Sequence, residues 1–249
     1  MQPRYNAVNS ICPSAKAERM NRRDALACLG SCIAAAPTLL TAQQAPARQY
    51  YDLRVYQLRN GYSKRTLPQK PAGVGPIGVF NPVIGESTPF VITLQTYASF
   101  AEAERAPDLD FDYVRYERTI LHAFSGIPVL VNPPKSDSGH IFELRTYESN
   151  NAATLQRKIE MFNASEIGIF RRLGMNPVFF GEALVGAKLP HLTYMLAYDA
   201  LAARERVWKA FGADPEWQKL RVTPGLSDAE IVSNISSTIL RPAAISDIR

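Results

Sequence analysis

Cysteine is scarce in this chain, and its placement is informative. Cys12, Cys28 and Cys32 all fall within the first 32 of 249 residues. The body of the chain therefore has no thiol for a disulfide, a thiolate metal site or a cysteine nucleophile. Histidine is equally sparse: His122, His140 and His191 stand far apart, without the spacing of a metal-ligand pair. No P-loop, G-x-S-x-G or H-E-x-x-H occurs, so the usual signatures of nucleoside triphosphate, serine-hydrolase and zinc-protease sites are missing. A haem would need an axial ligand, for which His191 is the nearest candidate. The sequence points to no metal and no cofactor. A membrane-spanning run is also missing, because the mainly apolar stretch 25–40 falls short of the roughly 20 residues a spanning helix needs.

Charge excludes a further class. The net charge is +5, but five of the 28 basic and two of the 23 acidic side chains lie in residues 1–47, leaving 23 against 21. No Lys/Arg run survives in the remainder, so the clustered charge of a nucleic-acid surface is lacking.

Residues 1–47 read as an export signal and leader. Arg22 and Arg23 precede the Ala-rich stretch 25–40, and Ala45-Pro46-Ala47 fits an A-x-A cleavage site, with Ala42 a second position. The paired arginines suggest the twin-arginine route and a periplasmic or secreted product, although Asn21 and Ala25 replace the usual flanking residues. Leu29-Gly30-Ser31-Cys32 echoes a lipoprotein box behind a very short apolar run. Met20 is a candidate true start.

An internal repeat organises the rest. D-L-R-V-Y (52–56) is answered by E-L-R-T-Y (143–147), V-I-G (83–85) by L-V-G (184–186), and T-I-L (119–121) by T-I-L (238–240). In the second copy, residues 136–249, alternation predicts strands over 141–147, 178–186, 192–198 and 231–240. Asn150 or Asn151 caps a helix carrying Leu155, Ile159, Phe162, Ile169 and Phe170 at helical spacing, and Gly174 stops it. A second helix over 201–211 carries Val207, Trp208 and Phe211. The order β-α-β-β-α-β is the ferredoxin-like plait, whose bare sheet face needs a cover. The first copy, residues 48–135, keeps strands over 50–58, 77–84, 91–97 and 114–121. The offset between the copies grows from 91 to 101 to 119 residues. Its first helix is therefore missing, and residues 100–105 allow little more than one turn. The expected fold is α+β, with tandem plaits closing a barrel and shortened helices in the first. The helix-side face of the first sheet is expected to lie partly open to a partner or a second copy.

The blocks F-E-L-R-T-Y (142–147), M-F-N-A-S-E-I-G-I-F-R-R-L-G (161–174), D-P-E-W (214–217) and S-N-I-S-S-T-I-L-R-P (233–242) resemble the NIPSNAP family. The resemblance covers the second half whole and the first as a shortened copy. It implies a dimeric α+β barrel, a fold whose relatives include small monooxygenases, isomerases and haem enzymes. Most NIPSNAP members have no assigned reaction, and some eukaryotic ones act by binding in vesicle or mitochondrial sorting. Some relatives carry a histidine in the first helix, where this chain has Ser165.

Strand parity nominates candidate residues. Glu143, Arg145 and Tyr147 share one face, and Phe142, Leu144 and Thr146 the other. If the second set packs on the helices, the first lines an inter-sheet cavity with Asn234, Arg54 and Tyr56, suited to a small polar or anionic ligand. Alternatively, Glu143–Arg145 and Asp52–Arg54 are cross-strand ion pairs that only fix register. Glu166 lies on the apolar side of its helix and is the candidate general base, desolvated or else paired with Arg145. Whether the chain is an enzyme stays open at this level. The readings are a ligand-binding protein, a non-catalytic interaction or assembly module, and a cofactor-free monooxygenase or isomerase.

Overall fold

The computed structural model describes residues 47–61, 68, 70, 75–136 and 139–249. The export signal therefore lies outside the described residues, as does most of the segment expected to have lost the first helix. Eight strands alternate with short helices: β1 Tyr50–Gln57, β2 Ile77–Ile84, β3 Phe90–Tyr97, α1 Phe100–Glu104, β4 Arg115–Ala123, β5 Ile141–Glu148, α2 Ala152–Met161, a π-helical turn Phe162–Glu166, α3 Ile167–Arg172, β6 Asn176–Val185, β7 His191–Tyr198, α4 Leu201–Ala213, α5 Pro215–Leu220, α6 Asp228–Ile231 and β8 Asn234–Pro242.

The strands close one antiparallel barrel in the order β1-β3-β2-β8-β5-β7-β6-β4. Each half keeps the plait order, with β4-β1-β3-β2 in the first and β8-β5-β7-β6 in the second. The seams are β2–β8 and β4–β6. Closure removes every free sheet edge. The tail continues the first seam: Ala243 and Asp247 donate backbone N–H groups to Val79 and Ile77, and Ile248 is buried against Gly78.

Local chemistry sets the helix ends. Asn151 and Thr154 form a reciprocal capping box at α2. Gly174, at φ +82°, ends α3 in the left-handed region that a side chain would disfavour. Asp214 caps α5 by accepting from the Glu216 and Trp217 N–H groups.

The faces are the reverse of the expected ones. Phe142 and Leu144 point into the barrel with Tyr51, Leu53, Phe80, Phe179 and Met195. Glu143, Arg145 and Tyr147 point outward, beneath the helices of the second half. Phe142 and Leu144 have no polar atoms and can fill a dry lumen, whereas Glu143 and Arg145 need the donors and acceptors that the helices bring. β1 and β5 do stand on opposite sides of the ring, but their charged residues face away from each other.

The outer face of the first sheet is not open at β1. There α1 and the chain that follows it lie across the strand. Leu109 is buried with Tyr56, Leu58, Val79 and Val91, and Phe111, Tyr113 and Tyr116 pack around them.

Gly181 on β6 faces the lumen, where a Cβ would sit 2.7 Å from the Leu121 Cβ and 3.3 Å from the Tyr51 ring. Gly181→Ala should therefore destabilise the barrel by about 1–3 kcal/mol through overpacking. A urea midpoint equal to that of the parent chain would show that the lumen has slack there.

Candidate functional site

The second half places a polar cluster between its sheet and its helices. Glu143 is fully buried and accepts from six donors. Arg204 reaches it through Nη2 at 2.6 Å and Nε at 2.9 Å. The Trp208 Nε1–H donates at 2.8 Å, Ser237 Oγ at 2.8 Å, Arg145 Nη1 at 2.9 Å and the Tyr198 hydroxyl at 3.4 Å. Burial alone would push the Glu143 carboxyl up, but Arg204, Arg145 and Ser237 outweigh it and hold the group down at about 2.

Arg145 carries the cluster toward the helices. Its Nη2 donates to the Tyr147 hydroxyl at 3.2 Å, which also accepts from the fully buried Tyr194 hydroxyl at 3.1 Å. Its guanidinium lies 4.7 Å from the Trp208 ring centre. The Arg145 Nε–H is buried and has no partner among the described residues. Two guanidiniums, Arg145 and Arg204, thus share the Glu143 carboxylate, and the nearby Glu166 also draws on Arg145.

Glu166 is also buried, but its partner is not Arg145. Lys158 Nζ lies 2.8 Å from Glu166 Oε1 and 3.1 Å from Asp228 Oδ1. Lys158 has a fully buried side chain, with its ammonium 5.0–5.6 Å from the ring centres of Phe162, Trp217 and Tyr147. Burial opposes the Lys158 charge, yet the two carboxylates raise its pKa overall. Burial raises Glu166 against the pull of Lys158. The π turn explains the alignment. Over eight residues an α-helix makes about 2.2 turns, which would leave positions 158 and 166 out of line. The wider turn over Phe162–Glu166 takes back that drift.

The remaining candidates are separated from this cluster. Arg54 is completely buried in the first half and has its donors engaged: Asp52 at 2.7 Å, Asp108 and the Pro107 carbonyl at 3.1 Å each, and the Tyr56 hydroxyl at 3.4 Å. Arg118 adds a second guanidinium on Asp52 at 2.9 Å. Tyr56 is buried among Phe111, Tyr113 and Tyr116. Asn234 is exposed at the start of β8 and donates to Glu148 at 2.9 Å, so it lines no cavity with Arg145. The Glu143–Arg145 and Asp52–Arg54 pairs run along one strand; the cross-strand pairing comes from Arg118. His122 stacks on Tyr50, His140 lies 3.5 Å from Asp199, and His191 is buried beside Thr193. Among the described residues no three His, Cys, Asp or Glu side chains are grouped to hold a metal, and no helix is long and apolar enough to cross a membrane.

Sequence reasoning missed Lys158, Arg204, Tyr194 and Asp228. Only Lys158 left a signal, since it sits between Leu155 and Phe162 on the apolar side of α2, where a solvated lysine has no place.

Residues 142–247 match the family model for NIPSNAP. An uncharacterized NIPSNAP-like domain protein from Burkholderia xenovorans is 22% identical, with 44% of this chain and 90% of that one covered and a TM-score of 0.39. A NIPSNAP family protein of unknown function from Agrobacterium tumefaciens is 20% identical, with 48% and 100% covered and a TM-score of 0.40. An anthrone oxidase-like protein is 6% identical, with 80% and 93% covered and a TM-score of 0.51; that likeness shows the barrel fold alone. Comparison with curated protein sequences gave no significant match.

Glu143 offers a direct test of the cluster. Its folded pKa of about 2 lies below the ordinary 4.5, so its contribution is present above the ordinary value and lost as pH falls toward the folded one. That difference corresponds to about 3 kcal/mol. Glu143→Gln should cost a similar amount, about 3 kcal/mol, at neutral pH. The gap between variant and parent should then shrink below about pH 5. Urea unfolding across that range measures it, and a gap independent of pH would refute the assignment.

Proposed function

We propose that this chain is an exported small-ligand-binding protein. Its ligand is taken between the second sheet and its helices at Arg145, and not between the sheets. The observation that carries this reading is the Arg145 Nε–H, unpartnered among the described residues, on a guanidinium that shares its one bonded carboxylate with Arg204. Such a site favours an anion, and the rings of Trp208 and Tyr147 favour one with an apolar or aromatic body. A small aromatic carboxylate has both properties. The roof over Arg145 is α4, whose one buried residue is Phe211 and whose N-terminal residue Ala200 supplies no side-chain cap. A helix so lightly anchored is the natural element to shift when a ligand enters.

No reaction is assigned. Glu166, the candidate base, is held by Lys158, and a base must reach its substrate's proton. The interaction-module reading drew on the missing helices of the first half and the lack of a catalytic motif; at β1 the first sheet is covered by its own chain.

Benzoate tests the proposal. Titration should change the tryptophan fluorescence saturably, because Trp208 lies against Arg145. Arg145→Met should weaken the response by about tenfold or more, since a charged hydrogen bond is lost. The absence of a saturable signal with benzoate or phenylacetate, or an equal signal in the variant, would remove the reading.

Export rests on Arg22-Arg23 and the apolar stretch behind them. Replacing both arginines with lysine should stop processing and leave the precursor in the cytoplasm, as seen by fractionation and immunoblot. Identical processing of both forms would exclude the twin-arginine route.

A further inference from the structure

Each half covers its own sheet, and the outer face of the β2–β8 seam lies between the two covers. Two cavities open there, of about 480 and 400 Å³. Both are lined by Val83, Arg241 and Pro242, so they adjoin. The larger runs over Ile141 and Ile239 to Leu201, the first residue of α4. The smaller runs toward Leu58 and Pro89. Val83 is 47% and Leu201 41% exposed. The apolar wall is therefore open to solvent, and an exposed apolar surface of this kind set around a cavity marks a binding site.

The seam also carries two polar side chains with nothing to bond. Phe80 and Leu240 fill the lumen, so alternation turns their neighbours Asn81 and Arg241 to the outer face. Asn81 and Arg241 lie directly opposite each other in register, which brings their Cβ atoms to within about 5.5 Å. Arg241 is exposed and Asn81 half-buried. Among the described residues neither side chain makes a hydrogen bond or an ion pair. By contrast, Arg54, Arg118, Arg145, Arg172 and Arg204 each meet a carboxylate. A guanidinium is always charged, and its fork matches a carboxylate with two parallel bonds.

We propose that the β2–β8 seam is a second binding site, which takes a straight-chain aliphatic monocarboxylate. Arg241 and the Asn81 amide hold the carboxylate from the two strands. The tail lies along Ile141, Ile239 and Leu201 in the larger cavity. A cavity of this size suits a chain of about ten carbons, because small-molecule sites are mostly apolar spaces of a few hundred Å³ with a few placed polar groups. Asp199 stands in the same cavity, 3.5 Å from His140 and with its side chain 71% exposed. It repels a second negative charge, so the site favours a monoanion over a phosphate dianion. The inference is independent of the site at Arg145, which lines neither cavity.

Calorimetric titration of the full chain with decanoate, kept below the concentration at which it forms micelles, tests this. Decanoate should bind saturably, one molecule per chain. Decanol, which lacks the charge, should bind about tenfold more weakly or worse. Butyrate should lose at least as much, because most of its apolar tail is missing. Arg241→Gln should lower decanoate affinity about tenfold, and its exposed position leaves the fold intact. Val83→Glu puts a carboxylate on the wall that both cavities share and should abolish binding. An excess of benzoate should not displace decanoate; displacement would move the binding to Arg145 and overturn the assignment. Absent decanoate binding would overturn it too, as would equal affinity for decanol or unchanged affinity in either variant. Decanoate binding in a chain that ignores benzoate would leave this site standing and remove only the one at Arg145.

Discussion

The dry lumen of the barrel is the constraint on which the rest depends. Side chains alternate along a strand, so filling the lumen with Phe142, Leu144, Leu53 and Tyr51 forces Glu143, Arg145, Asp52 and Arg54 to the outer face. A charge on that face is still buried if anything packs over it. Each half must therefore bring partners to its own strand motif, and those partners decide which elements can cover the sheet.

The two halves meet this demand differently. In the second, α4 brings Arg204 and Trp208 to Glu143, and α2 with the π turn brings an internal ion pair of its own. In the first, the chain after α1 brings backbone carbonyls and Asp108 to Arg54, while β4 brings Arg118 to Asp52. One carboxylate serves two arginines in the second cluster, whereas two carboxylates serve two arginines in the first. The same strand motif is thus met by a different set of partners in each half.

Much of this was legible in the residues. Alternation located all eight strands, and the repeat gave two plaits. Which strand face is inside was not legible. Period two separates the faces without orienting them, and Glu143 with Arg145 looks equally apt for a cavity or for a helix underside. The deciding groups, Arg204 and Trp208, lie some sixty residues away in sequence. The π turn has no composition signal, so Lys158 and Glu166, eight apart, did not read as a pair. β8 was misplaced at its start because Ile231 shares the spacing of Ile235 and Ile239, although it closes α6.

The second-half roof is unevenly fastened. Lys158 ties the π turn and α6 to α2 through Glu166 and Asp228, under a ring of aromatic faces. Arg172 ties α3 to the cap of α5 through Asp214 at 2.7 Å. Removing either carboxylate from Lys158 would strip a buried ammonium of half its compensation, so that part of the roof resists opening. By contrast, α4 rests on Phe211 and on the Arg204 and Trp208 bonds to Glu143. Local opening favours the element with the fewest buried groups. In this roof α5 has no buried residue and α4 only Phe211, and α4 is the one that lies over Arg145. The groups that tie α4 down, Arg204 and Trp208, bond the carboxylate that also holds Arg145, so a shift of α4 and a change at Arg145 are physically coupled through Glu143.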